Sequence, residues 1–317
     1  MATSGEYQLL ATRNSILEDA AEVAGILDPE GGQLTKGQYT RIAGYLNNMI
    51  KSWQADGMQV WIRKKIGIIL ESGVVSYTFD VTGADTTPNC FPVSASSTTF
   101  TSGTGVNIVV ASTSGMAHPY IIGIEKTNGT YHWSTIASVT NSTNLVLDSG
   151  GTNYKTGGRV YFYAEKAPKP LRVYDGYVRN SQGQDTPVKI LTQEEYNRFG
   201  VKTNTGLSTQ VFYDMQWPHA TLYVYPTVNF AGSTLYIEAA YPFQVFKDSQ
   251  HLPDFPEEWQ NALIYGLAEE IGFRYGMDEK RLKEVQTKAK YWRDMALGMS
   301  QETSVYLQPM HNMYGQK

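Results

Sequence analysis

The chain has 317 residues, 41% of them hydrophobic, with a formal charge of −4, one cysteine and a mean hydropathy of −0.34. That length supports a full core in two or more compact units, and the charge offers no bulk attraction to nucleic acid phosphates. The lone Cys90 cannot close an internal disulfide, so stability does not depend on an oxidising compartment; residues 1–6 lack a signal-peptide pattern and no window approaches a membrane span, so no membrane partner is expected and synthesis in the cytoplasm is the simpler reading.

In chain order, a first helix is expected over 7–27, with Ile16, Ala20, Val23 and Leu27 on one face and Asp28-Pro29 with Gly31-Gly32 ending it. A second opens at Thr35, whose hydroxyl can accept from the Gln38 N–H while the Gln38 side chain reaches back, a reciprocal capping box. Its apolar stripe runs Tyr39, Ile42, Leu46, Met49, Ile50, Trp53 until Gly57 stops it. The short loop between the two favours an antiparallel pair.

From Gly67 the period becomes two, with Ile66, Ile68, Leu70 and then Val75, Tyr77, Phe79, Val81. Between 72 and 158 charged residues are sparse and Ser, Thr, Gly and Asn fill the turns. Strands are expected at 106–111, 120–125, 132–139, 144–147 and 159–163, with Asn128-Gly129 as a hairpin turn, and together they suggest a small sandwich or barrel. Gly103-Thr104-Gly105 reads as a β-turn. After Pro168 and Pro170 come strands at 171–179 and 188–191, a short helix at 192–199 opened by a Thr192/Glu195 capping box, and strands at 211–213, 221–225 and 234–241, whose tyrosines suit a half-buried surface.

A third helix begins at Pro256, with Glu257 and Glu258 in its dipole-favoured first turn and Gly276 as its C-terminal cap. A fourth spans 278–297, with Leu282, Val285, Ala289, Trp292 and Met295 as its stripe. Residues 300–317 lose periodicity but keep Val305, Tyr306, Leu307, Met310, Met313 and Tyr314, too apolar for a solvated tail, so a partner surface is expected to order them.

The segments NNMIKSWQADGMQVW (47–61), IGIEKTNGTYHWSTIASV (122–139) and LPDFPEEWQNALIYGLAEEIGFRYG (252–276) resemble, in order, the head-to-tail adaptors of short-tailed phages, also called tail accessory or packaged-DNA-stabilising proteins. The resemblance implies a ring of copies, commonly a dodecamer, that docks on the portal after DNA packaging, extends the DNA channel and supports the next tail component, a nozzle or tail tube protein. It implies helices as the ring core and a C-terminal segment, here 278–317, that reaches the portal. The candidate contacts there are Lys288, Trp292, Arg293, Tyr306, Leu307, Met310, Met313 and Tyr314. Packaged DNA would pass without sequence-specific contact, and the place of action would be the head–tail junction of a virion assembled in the host cytoplasm.

The expected architecture is therefore α+β. An antiparallel helical bundle would be built from residues 1–66 and 252–298, with a β-rich insert at 67–251, an outer β module at 72–158 and an extended arm at 299–317. Ile42, Leu46, Met49, Trp53, Trp259, Leu263, Leu282 and Val285 are the expected helical core. No enzyme, cofactor or metal is expected. His118, His132, His219, His251 and His311 show no ligand spacing with one another or with Cys90, and the carboxylate pairs Glu194-Glu195, Glu257-Glu258 and Glu269-Glu270 point apart on helices where a hydrolase needs two across a cleft. Asn128-Gly129-Thr130 and Asn141-Ser142-Thr143 are more simply turn residues than glycosylation acceptors. The cations Lys280, Arg281, Lys283, Lys288, Lys290 and Arg293 suit either a solvated face or an interface. A competing function is a carbohydrate-binding or adhesin module using Tyr120, Tyr131 and Trp133 for stacking, and a weaker one is a glycan hydrolase.

Overall fold

The computed structural model describes residues 11–28, 32–56, 63–92, 95–241, 246, 248–250, 255 and 257–299. The chain is α+β and divides into two compact units, one of residues 1–61 with 243–317 and one of residues 62–242.

In the first unit, α1 is Arg13–Val23, shorter at both ends than the expected 7–27. Thr12 is extended and accepts from the Ser15 N–H at 3.3 Å, which starts the helix there, and Gly25 at φ +73° turns the backbone left-handed before the expected end. α2 is Lys36–Ala55, with both halves of the Thr35/Gln38 capping box present. Tyr39 donates its hydroxyl to Glu18, which ties α2 to α1 and holds the phenol up at about 12. A single turn at Glu257–Trp259 leads into α4, Gln260–Tyr275, which Gly276 closes at φ +75°. α4 buries Ala262, Leu263, Ile264, Leu267, Ala268 and Ile271 and touches α1, α2 and α5, the last being Glu279–Met299. α4 approaches α2 closely at Gly266, where a Cβ would lie 2.8 Å from the Trp53 ring. Two further bonds join the distant chain ends, since the Asn47 side-chain amide donates to Phe246 O at 3.2 Å and accepts from Phe246 N at 3.0 Å.

On α5 the stripe differs from the expected one at its end: Val285, Ala289 and Ala296 are buried, whereas Met295 is 47% exposed. At about 100° per residue, position 296 returns to within roughly 20° of position 285, while 295 lies about 80° off that line.

The second unit opens with β1 (Arg63–Ile69), β2 (Ser76–Phe79) and β3 (Cys90–Pro92). β4 (Ser96–Val110), β5 (Ile121–Glu125), β6 (Tyr131–Val139), β7 (Asn144–Gly151) and β8 (Arg159–Tyr163) follow, then β9 (Arg172–Arg179), β10 (Asp185–Pro187) and β11 (Lys189–Leu191). After α3 (Gln193–Asn197) come β12 (Gln210–Asp214), β13 (Ala220–Tyr225) and β14 (Thr234–Ala240). The sheet begins at Arg63 rather than Gly67.

Both architectures expected as alternatives occur. A sheet ordered β10-β9-β14-β1-β3 faces one ordered β11-β12-β13-β2 across a core of Ile66, Ile68, Val178, Leu235 and Ile237 against Tyr77, Phe79, Val211, Leu222 and Val224. Strands β4-β7-β6-β5-β8 close separately into a barrel around Phe100, Ile108, Ile122, Ile124, Ile136, Leu147 and Val160. The barrel strands span 96–163, so the module is not 72–158: β2 and β3 lie inside that range but hydrogen-bond into the two sheets. Composition reports exposed turns, whereas strand partners are chosen by pairing across the chain.

Gly103-Thr104-Gly105 turns the chain, as its glycines lead one to expect. It lies inside the 15-residue β4, which pairs with β8 through Ser96–Thr99 and with β7 through Gly105–Val109. A Cβ on Gly103, at φ +120°, would lie 2.5 Å from Asn107 O and 2.8 Å from Ile108 Cα, and Ala111 N donates to Thr99 O at 2.8 Å, so the chain doubles back at the two glycines, with β8 bonded to the part before them and β7 to the part after.

Candidate interaction surfaces

In the helical unit, Ile42, Leu46, Met49, Trp53, Trp259, Leu263 and Val285 are buried and Leu282 is half-buried. Trp53 and Trp259 meet with ring centroids 6.0 Å apart. Of the candidate portal contacts, Lys288 is exposed with its ammonium 5.5 Å from the centre of the Tyr265 ring, and Trp292 is half-buried, edge-on to Tyr291 at 5.3 Å. Arg293 lines a cleft of ≈ 420 Å³ between α2, α4 and α5. Tyr306, Leu307, Met310, Met313 and Tyr314 lie outside the described residues.

The cleft was not legible in the sequence, because its walls, including Ser52, Asp56, Glu269, Glu270 and Lys290, come from three helices. Burial raises the Glu269 carboxyl above its usual value, the Glu270 charge adds to this, and Arg293 opposes it. Elsewhere on α5 the cations are partly spoken for: Lys283 pairs with Glu279 at 2.7 Å in full solvent, and Arg281 donates to Glu22 O at 3.2 Å. Sequence periodicity also missed exposed apolar rings, in this unit Phe273 at 78% and Tyr291 at 59% exposure. A stripe pattern marks where apolar residues recur and is blind to single ones off the stripe.

The three residues proposed to stack on sugars are not presented to solvent as a platform. Tyr131 is 5% exposed, Tyr120 packs on the barrel core, and Trp133 packs beside Tyr131 and Tyr163 where barrel and sheet meet. The reason is Glu71, a buried carboxylate just after β1. It accepts from Trp133 Nε1 at 2.7 Å, Tyr131 N at 3.1 Å and Asn89 Nδ2 at 2.6 Å. A charge taken from water requires such partners, so the aromatic pair is committed to joining the barrel to the five-stranded sheet.

The rest of that sheet face is open and carries cations over rings. Arg63 and Arg172 lie 4.3 and 5.4 Å from the centre of Tyr174, and Lys65 lies 5.6 Å from Tyr177. Arg179 lies 5.4 Å from Tyr177 and Tyr236, two rings stacked at 5.3 Å, and forms a bidentate pair with Asp185. Of the tyrosines expected on a half-buried surface, Tyr236 belongs to this layer, Tyr213, Tyr223 and Tyr225 are half-buried on the four-stranded sheet, and Tyr241 is buried.

Among the carboxylate pairs, Glu195 is occupied by the Thr192 cap and by Lys189 at 2.5 Å, Glu257 and Glu258 are exposed, and Glu269 and Glu270 border the cleft. Asn128 and Asn141 accept from backbone N–H groups two residues on, as turn residues do. Among the described residues no helix is long and apolar enough to cross a membrane.

A search of characterised proteins returns no match. Among solved structures, VP17, a capsid protein of bacteriophage P23-77, aligns at 10% identity over 62% of this chain and 79% of that one, with a TM-score of 0.12, too low to relate the folds. The model of the SU10 adaptor protein family, by contrast, matches residues 20–310, through both compact units and the three segments that resemble phage adaptors. With so much of its length matched, the chain belongs to the SU10 adaptor protein family and is a phage adaptor-type structural protein.

Proposed function

We propose that the protein is a non-enzymatic component of the head–tail junction, which docks as a ring on the portal after DNA packaging, lengthens the DNA channel and forms the platform for a nozzle or tail tube protein. The observation that carries this reading is the family match across 20–310, which takes in the helices at both ends and the β strands between them. The helical unit supports it. Its two parts are joined by α4 and by the Asn47–Phe246 amide pair, so the segment after α5 leaves a well-anchored scaffold.

That segment, 299–317, is the docking strap in this proposal. Ordering it costs about 1 to 2 kcal/mol per residue, offset by burial of its aromatic and methionine side chains, and repetition around a ring makes individually weak straps durable. The test is to mix the full chain, and a version ending at Gly298, with purified portal rings and to read the mass of the assembly under native conditions. Assembly on the ring by the full chain and its loss on truncation is the expected result. Failure of the full chain to bind refutes portal docking, and equal binding by both refutes the strap.

A further inference from the structure

In the sequence His219 has no ligand-type residue at a metal-binding spacing, and the strand register supplies one in space. Ala220 of β13 pairs with Phe79 of β2, so the residues just beyond, His219 and Asp80, face each other at the end of the four-stranded sheet, with Nδ1 to Oδ1 at 3.3 Å. The loop after Asp80 then folds back. Its return is anchored by Thr86, 1% exposed, whose hydroxyl accepts from Asp80 N at 2.8 Å and donates to Ala167 O at 3.1 Å. The result is that Asp85 joins the pair: one ligand atom from each of Asp80, Asp85 and His219 lies within 4.8 Å of the others.

The Asp80 carboxylate is built asymmetrically. Oδ2 is taken by Thr82 N at 3.0 Å and Thr82 Oγ at 2.5 Å, while Oδ1 faces the imidazole. This is the arrangement that orients a ligating carboxylate from behind. The lysines of the neighbourhood do not neutralise the two acids: Lys166 donates to Ala84 O at 3.0 Å, and Lys169 donates to Gln216 O and lies 5.4 Å from the centre of the Trp217 ring.

We propose that Asp80, Asp85 and His219 bind one divalent transition-metal ion of the zinc type. Ligand atoms around such an ion sit at about 2.0 to 2.2 Å from it and so at most about 4.4 Å apart, a closure that rotation of the exposed Asp85 side chain supplies. An imidazole beside two carboxylates selects zinc, nickel or cobalt over the harder magnesium and calcium. The ion clips the loop at 80–86 to the start of β13, and three protein ligands leave a coordination position for water or for an acidic group of a neighbouring protein.

The test is calorimetric titration of Zn²⁺ into the full chain after removal of metals by chelation, with His219→Ala and Asp85→Asn as variants and Mg²⁺ as the control ion. One equivalent of zinc is expected, with magnesium giving no comparable binding and each variant weakening zinc by at least about tenfold; Thr82→Val, which removes the hydroxyl bond to Asp80 Oδ2 and a longer one from Ala84 N, weakens it by about tenfold. A zinc-dependent rise in melting temperature, present in the parent chain and absent in both variants, is the second readout. Absence of binding by the parent chain, or equal affinity in the parent chain and both variants, overturns the assignment.

Discussion

Replacing Glu71 with alanine tests whether the barrel is held to the five-stranded sheet by a buried charge rather than by apolar contact alone. In the native chain the carboxylate receives three donors. After truncation Asn89 keeps Ile69 O at 2.9 Å, but Trp133 Nε1 and Tyr131 N lose their acceptors in a place where Tyr131 is 5% exposed. Two orphaned donors at about 1 to 3 kcal/mol each, less what is recovered by no longer burying a charge, give a loss of roughly 2 to 5 kcal/mol. Glu71→Gln keeps one acceptor but sets an amide N–H₂ against a donor, so its cost should fall between native and alanine. Urea unfolding measures the stability, and hydrogen exchange followed residue by residue by NMR reads the Tyr131 amide directly. An unchanged midpoint together with unchanged exchange in Glu71→Ala would refute the reasoning, because it would leave the aromatic packing as the sole attachment.

Gly67→Ala places a methyl 2.1 Å from the Phe91 ring, which is itself 1% exposed, so a loss of about 1 to 3 kcal/mol is expected, with partial recovery in the Gly67→Ala/Phe91→Leu double variant by thermal melting. Leu263→Ala empties a fully buried position on α4 and should cost roughly 2 to 5 kcal/mol in the same assay; a loss under about 1 kcal/mol would show that α4 is not the centre of its unit. Glu269→Gln concerns charge. Since burial raises the folded-state pKa of Glu269 above its usual 4.5, the native state holds that proton more tightly, and its contribution is best below pH 4.5 and lost as pH rises through the raised value. The variant should therefore melt higher than the parent at pH 7 and equally at pH 4, and a lower melting temperature at pH 7 would show that the Arg293 attraction outweighs desolvation.

Local chemistry was readable residue by residue. Both capping boxes, Thr35 with Gln38 and Thr192 with Glu195, form as their spacing requires, Gly276 takes the left-handed cap, and the expected strand at 159–163 is β8. Each depends only on groups within a turn or on strict alternation, so neighbours in sequence suffice to specify it. The ends of α1, set by Thr12 and Gly25, and the end of the α5 stripe were local features read wrongly, whereas the expectations that failed among the strands involve a partner far along the chain. Val106 to Val110 alternates visibly, but Ser96 to Thr99, at the start of the same strand, lacks an apolar pattern and is a strand because β8 hydrogen-bonds to it. β3 and β10, three residues each, carry too few side chains to signal anything.

Thus the order of amino acids by itself determined the α+β class, the helix ends set by Thr35, Thr192 and Gly276, most strands, and the segments by which the chain is placed among phage adaptors. Tertiary structure alone decided which strands close a barrel and which form the facing sheets. It also withdrew Tyr131 and Trp133 from solvent onto Glu71, and drew Asp80, Asp85 and His219 together from positions up to 139 residues apart. The division has one physical cause. Propensity, capping and periodicity act through groups a few residues apart, whereas pairing, burial and the meeting of charges act through space, between residues whose separation along the chain carries no record of the contact.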